Sequence, residues 1–127
     1  MSAGAPVEKP LSVAVIGRRM GREPESWKLW LGEFVDEFRR QANLQLVAEP
    51  PPPELPAQLR SLLASVVEAL CAERGLPAPG WCQHVPPLPV PWFVAGMESL
   101  KAMALVESPA QFRQRNIFVL GNFLSRA

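Results

Sequence analysis

The chain has 127 residues and a mass of 14.0 kDa, enough for one domain with one modest core. Hydrophobic residues make up 48%, which excludes wholesale disorder, and a formal charge of +1 excludes both a globally basic nucleic-acid coat and an acidic tail. Fifteen prolines, one histidine, two cysteines and no tyrosine leave little for catalysis or for a metal.

The first residues differ from the rest. Residues 1–10 are small and polar with two prolines, and residues 11–16 (LSVAVI) read as a short strand because Val and Ile favour that geometry. Gly17-Arg18-Arg19-Met20 can be encoded by a purine-rich stretch like a ribosome-binding site, so Met20 is a second candidate start. Residues 1–22 are therefore read as a disordered or mis-started tail, and residues 23–127 as a single helical domain. The basic cluster Gly17–Arg22 lacks the Lys-Ser/Thr of a phosphate loop and reads as part of a solvated tail. The longest apolar run, residues 11–17 broken only by Ser12, is far shorter than the roughly 20 residues of a membrane helix. It also lacks a small-residue cleavage pattern, so the protein is expected in the cytoplasm with Cys71 and Cys82 reduced.

A helix is predicted over residues 24–40. Trp27, Trp30, Leu31, Phe34, Val35 and Phe38 recur at helical spacing, Pro24 suits a first turn, and Arg39 and Arg40 suit the last. That aromatic stripe is core, completed either within the chain or by a second copy. Four consecutive prolines, Pro50 to Pro53, then form a stiff polyproline spacer. The second long helix starts at residues 54–56 and ends near Arg74, with Gly75 as its C′ residue and Cys71 on its apolar stripe. Residues 76–96 alternate prolines with Trp81, Leu88, Val90, Trp92 and Phe93, which reads as an extended strap laid across the helices. The PxxP pattern inside it reads as packed on its own protein rather than as a ligand for another. A third helix is predicted over residues 98–107 through Leu100, Ala104 and Leu105. Ser108 as N-cap and Pro109 as N1 then open a short helix to Arg115, and residues 117–119 are extended before a closing turn. The fold class is mainly α, with two long amphipathic helices, a proline-rich extended strap and a short C-terminal helical region.

Cys82 and His84 lie two residues apart, a spacing open to a Cys/His nucleophile pair or to metal ligation; exposed loop residues are the simpler reading. Neither a metal nor a cofactor is expected. Asp36 and Glu37 point to different sides of their helix and are not an acid/base pair. Residues 97–127 carry four basic and two acidic side chains, whereas residues 48–96 are net negative. Within the basic segment Arg113 and Arg115 flank aromatic residues. They read either as turn-locking partners of Glu107, with Phe112, Ile117 and Phe118 filling the core, or as groups that meet a protein partner or phosphates.

The run WCQHVPPLPVPWF followed by LKAMALVESPAQFRQRNIFVLGNFLSRA resembles small, largely uncharacterised bacterial proteins whose tails read ESPxxFRxRNIFV…LSRA. The resemblance is loose over residues 27–127, close over residues 92–127 and absent from residues 1–20. Genes for such proteins often lie beside one for a nucleotidyltransferase-like protein, in a toxin–antitoxin-like arrangement. The resemblance implies a helical partner-binding protein and brings no catalytic residues. The expected function is a non-enzymatic protein-interaction module, antitoxin-like or accessory to a nucleotidyltransferase-like protein, with Arg113, Arg115, Arg126, Phe112 and Phe118 meeting the partner by surface occlusion. The alternative is a nucleic-acid-binding regulator using the same basic C-terminal face, and a third reading is an enzyme working through Cys82 and His84. A homodimer is compatible with any of these, and no membrane partner is expected.

Overall fold

Ser12 accepts the Val15 N–H at 3.2 Å and caps a helix, α1 (Val13–Arg22), in the computed structural model, which describes residues 11–125. Val13, Ile16, Gly17 and Met20 fall at i, i+3, i+4 and i+7 and are all buried, while Arg18 and Arg22 face water. This corrects the strand expected at residues 11–16 and, for residues 11–22 alone, the reading as a disordered tail. The apolar stripe has helical period once it is followed through the basic cluster, and burial of Val13, Ile16 and Met20 outweighs the weak strand preference of Val and Ile. Residues 1–10 lie outside the described residues.

Pro24–Ser26 is a single 3₁₀ turn, so the next helix, α2 (Trp27–Gln41), starts later than the prolines and acids alone indicate. Leu31, Phe34, Val35 and Phe38 are buried against α1 and the rest of the chain, so the aromatic stripe is completed within one copy. Trp30 carries Arg19 of α1 over its ring, 5.1 Å from the centroid. After α2 the proline run lies against α1 at one close-contact point. A Cβ on Gly17 would come within 2.8 Å of Pro51 Cβ and Pro52 Cδ, so only glycine admits the polyproline stretch there.

The central element is α3 (Ala57–Glu73), whose buried residues run from Leu59 to Cys71 and include Leu62, Leu63, Val66, Val67 and Leu70. Gly75 ends it at φ +67°, with Leu76 N–H donating to Cys71 O at 2.8 Å and Gly75 N–H to Ala72 O at 3.2 Å, a Schellman cap at the expected place. The strap then crosses α3. It is not uniformly extended: Gly80–His84 forms a 3₁₀ turn that buries Cys82, and Trp81 Nε1 donates to Val47 O at 2.8 Å. Ser61 Oγ on α3 donates to Pro86 O at 3.0 Å, and Leu88 is buried. The strap ends as β1 (Trp92–Phe93), which pairs in parallel with β2 (Ile117–Phe118), Trp92 opposite Ile117 and Phe93 opposite Phe118.

Between the strands lie a 3₁₀ turn (Glu98–Leu100), α4 (Lys101–Glu107) and α5 (Ala110–Arg113). Ser108 does not cap α5 as expected; Pro109 occupies that position. The Ser108 hydroxyl instead accepts the Val119 N–H and donates to Ile117 O, both at 3.2 Å, satisfying the edge of β2 that β1 leaves open. Asn116 turns the chain from α5 into β2 at φ +66°, a region Asn tolerates, and its side-chain amide donates to Leu88 O at 3.0 Å. The described residues are 58% helical and 3% strand, and the fold is mainly α. No described helix is long and apolar enough to cross a membrane.

Candidate interaction surface

Of the five residues expected to meet a partner, the four that are described do not share a surface. Arg115 is 4% exposed and its guanidinium is enclosed by acceptors. It grips Glu68 of α3 bidentately, with Nη1 2.6 Å from Oε1 and Nη2 3.1 Å from Oε2, and Nη2 also donates to Cys82 O at 2.7 Å. Weaker bonds reach Val85 O at 3.3 Å and Gln111 O at 3.4 Å. One side chain therefore ties α3, the strap and α5 together, and no part of it is offered to a partner. Gln114 Nε2 donates to the same Glu68 at 2.9 Å. The partner is Glu68 rather than the expected Glu107, whose carboxylate accepts the Gly121 N–H at 2.8 Å and closes the last turn. The connection could not be read from spacing, because Glu68 lies 47 residues from Arg115.

Phe112 is fully buried, with its ring 5.8 Å edge-on to Phe123, so it belongs to the core and not to a docking surface. Phe118 is half-buried and stacks on Phe93, ring centroids 5.0 Å apart, across the β1–β2 pair. Arg113 is exposed on α5. Arg126 lies outside the described residues.

Cys82 and His84 are not a matched pair of loop residues. His84 is exposed, but Cys82 is fully buried, the reverse of its expected exposure, because the 3₁₀ turn rolls it onto α3. Burial, reinforced by the charge of Glu68, pushes its thiol up to about 12, and burial likewise raises Cys71. A thiolate nucleophile needs the opposite shift, so this thiol is not poised for nucleophilic attack near neutral pH. Both cysteines are free. Among the described residues no group of three or more His, Cys, Asp and Glu is arranged to hold a metal ion.

The surface that sequence reasoning missed is α4. The third helix is predicted through Leu100, Ala104 and Leu105; in the fold Ala104 is buried, Leu100 is half-buried and Leu105 stands 49% exposed. Ala102, Met103 and Val106 are exposed as well, Val106 to 81%, and Met97 just before the helix is 58% exposed. In the stretch KAMALVE, Ala102, Met103, Leu105 and Val106 share one broad apolar arc and Ala104 lies opposite between Lys101 and Glu107, so periodicity points inward the very arc that the fold leaves exposed. A seven-residue helix is also too short to hold by propensity and depends on packing, yet within this chain α4 buries one side chain. Lys101 at its start reaches Glu98 at 3.0 Å and lies over the Phe93 ring.

Compared with known proteins, the chain matches no family model, no curated protein and no solved structure.

Proposed function

We propose that this protein is a non-enzymatic protein-interaction module that docks through α4. The observation that carries the reading is the outward face of α4, where Ala102, Met103, Leu105 and Val106 stand in water on a helix that its own chain barely covers. The resemblance of the C-terminal segment makes the favoured partner a nucleotidyltransferase-like protein, with this chain in an antitoxin-like or accessory role. The face bears no charge of its own, which suits an apolar protein surface better than phosphate. The nucleic-acid alternative has less support, because the charge of Arg115 is neutralised internally by Glu68 and Lys101 is engaged by Glu98.

Affinity capture of the tagged protein from its native cells, compared with a Val106→Lys variant, tests this. A stoichiometric nucleotidyltransferase-like polypeptide is expected with the wild type and absent from the variant, while both chains keep the same helical circular dichroism. Equal recovery of that polypeptide by the variant, or recovery of nucleic acid alone, would overturn the reading.

A further inference from the structure

We infer that the exposed proline ridge of the strap, Pro86, Pro87 and Pro89, is a second docking surface, and that its partner is a protein presenting a groove lined by Trp and Tyr side chains. The inference does not depend on the reading of α4. Proline fixes φ at about −65°, and a residue that precedes proline is held extended, which constrains Val85, Pro86 and Leu88 as well as the prolines themselves. Val85 stands at φ −92° and ψ 112°, and residues 86–88 contain no turn before the chain bends at Pro89 and Val90. The run is therefore about one turn of polyproline II helix, which has about three residues per turn and so three edges. Leu88 takes the inward edge and is buried; Pro86 with Pro89, and Pro87 with Val90, take the other two, and all four are exposed. The packing on its own protein expected for the PxxP pattern thus holds for Leu88 and not for the prolines.

The inward edge is pinned. Arg115 Nε donates to Val85 O at 3.3 Å, Ser61 Oγ to Pro86 O at 3.0 Å and Asn116 Nδ2 to Leu88 O at 3.0 Å, while Leu88 N–H donates to Arg115 O at 3.0 Å. A partner therefore meets a ridge that is already ordered, at little cost in chain entropy. Leu88 carries the one N–H of residues 86–89 and uses it inward, so the ridge offers no backbone donor. The carbonyls of Pro87 and Pro89 accept no hydrogen bond from the described residues. Acceptors set between proline rings, with neither donors nor charge, select the partner's chemistry. An added strand needs N–H groups to pair with, and phosphate needs donors or cations, so neither fits. Indole N–H and phenol O–H groups do fit, since each supplies a donor beside an aromatic face that packs on a proline ring.

A photo-crosslinking residue at position 90, which borders the ridge and is 69% exposed, tests the inference in the full chain in its native cells, with the crosslinked peptide mapped by mass spectrometry. Crosslinks are expected to another polypeptide, at a peptide that contains Trp or Tyr. Titration of that polypeptide, once purified, against the full chain is expected to show binding weakened about tenfold by Pro87→Ala. Hydrogen exchange at the Leu88 N–H, expected to stay slow, shows that the strap is still pinned. Val90→Lys, outside the pinned run, is expected to give a similar loss without touching a proline. Crosslinks to nothing, to nucleic acid, to a second copy of this chain or to a site without Trp or Tyr would overturn the inference, as would full binding by both variants. Val106→Lys on α4 should leave the crosslink in place. A crosslink lost there and kept in the Pro87→Ala chain would assign the contact to α4 and remove the ridge.

Discussion

α3 and α4 are both rich in apolar residues, and the chain treats them in opposite ways. Ten of the 17 residues of α3 are buried, including two serines whose hydroxyls find carbonyls at 3.0 Å, whereas α4 buries only Ala104. The same contrast separates two arginines on either side of Gln114: Arg115 is sealed against α3, and Arg113 stands in water. Apolar content therefore says little about where this protein keeps its core. What decides is how many other elements reach a helix. α1, α2, the strap and α5 all close over α3, while α4 sits at the end of the β1–β2 pair with the chain on one side of it.

Changes on the α3 side should cost stability, and changes on the α4 side should not. The largest effect is expected from a chain that begins at Met20. It loses Val13 and Ile16 from the core and should be less stable by about 3–6 kcal/mol, at 1.5–3 kcal/mol for each large side chain removed, as read by urea unfolding. A Met20 chain as stable as the full one would mean that α1 is dispensable.

Arg115→Ala comes next. It strips Glu68 of its buried partner and takes one of two donors from Cys82 O, leaving the Val85 N–H, and a cost of about 3–5 kcal/mol is expected. Replacing the pair together by Arg115→Met and Glu68→Leu should cost less than the single change, because no unpaired charge is left inside. If Arg115→Ala unfolds at the wild-type urea concentration, the guanidinium is not a tie between α3 and the strap.

The buried thiols give a pH dependence whose sign can be worked out. Cys82 ionises near pH 9 in the unfolded chain and near pH 12 in the folded one, so between those values only the unfolded chain releases the proton. Stability is fully present below pH 9 and falls as pH rises toward 12. With no tyrosine in the chain, few other groups titrate there. A Cys71→Ala, Cys82→Ala chain should show a flatter alkaline limb in thermal melts followed from pH 8 to pH 11. An unchanged limb would place its origin elsewhere.

The smallest effects belong to α4 and α5. Arg113→Ala and Val106→Lys should each shift stability by no more than about 0.5 kcal/mol, since neither position is buried. A larger loss at Val106 would mean that α4 is part of the core after all.

The two long helices were legible because their apolar residues repeat at one helical phase with caps at the ends: Pro24 and Arg39 around α2, Gly75 after α3. The strap was legible from its mixture of proline with large apolar side chains, and β2 from Ile117 and Phe118. α1 was misread because residues 11–16 are too few to show a period, and the buried Met20 that extends it lies inside a basic cluster. The candidate site was hardly legible. Arg115 and Arg113 look alike in sequence, and what separates them is Glu68, 47 residues away from Arg115. The broad apolar arc of α4 faces water, and the side that turns inward is the one where Ala104 sits between Lys101 and Glu107, so the pattern marks the wrong face.

What the sequence determined by itself is local: helical period, caps, proline stiffness and the small stock of reactive groups, all of which act within a turn or two of chain. Tertiary structure alone decided which arginine is a core tie, that Cys82 is sealed as Cys71 is, why Gly17 must lack a side chain beneath Pro51, and which apolar helix is left in water. Each of these depends on elements distant in sequence arriving at one place, where excluded water makes an unpaired charge costly and a single Cβ too large.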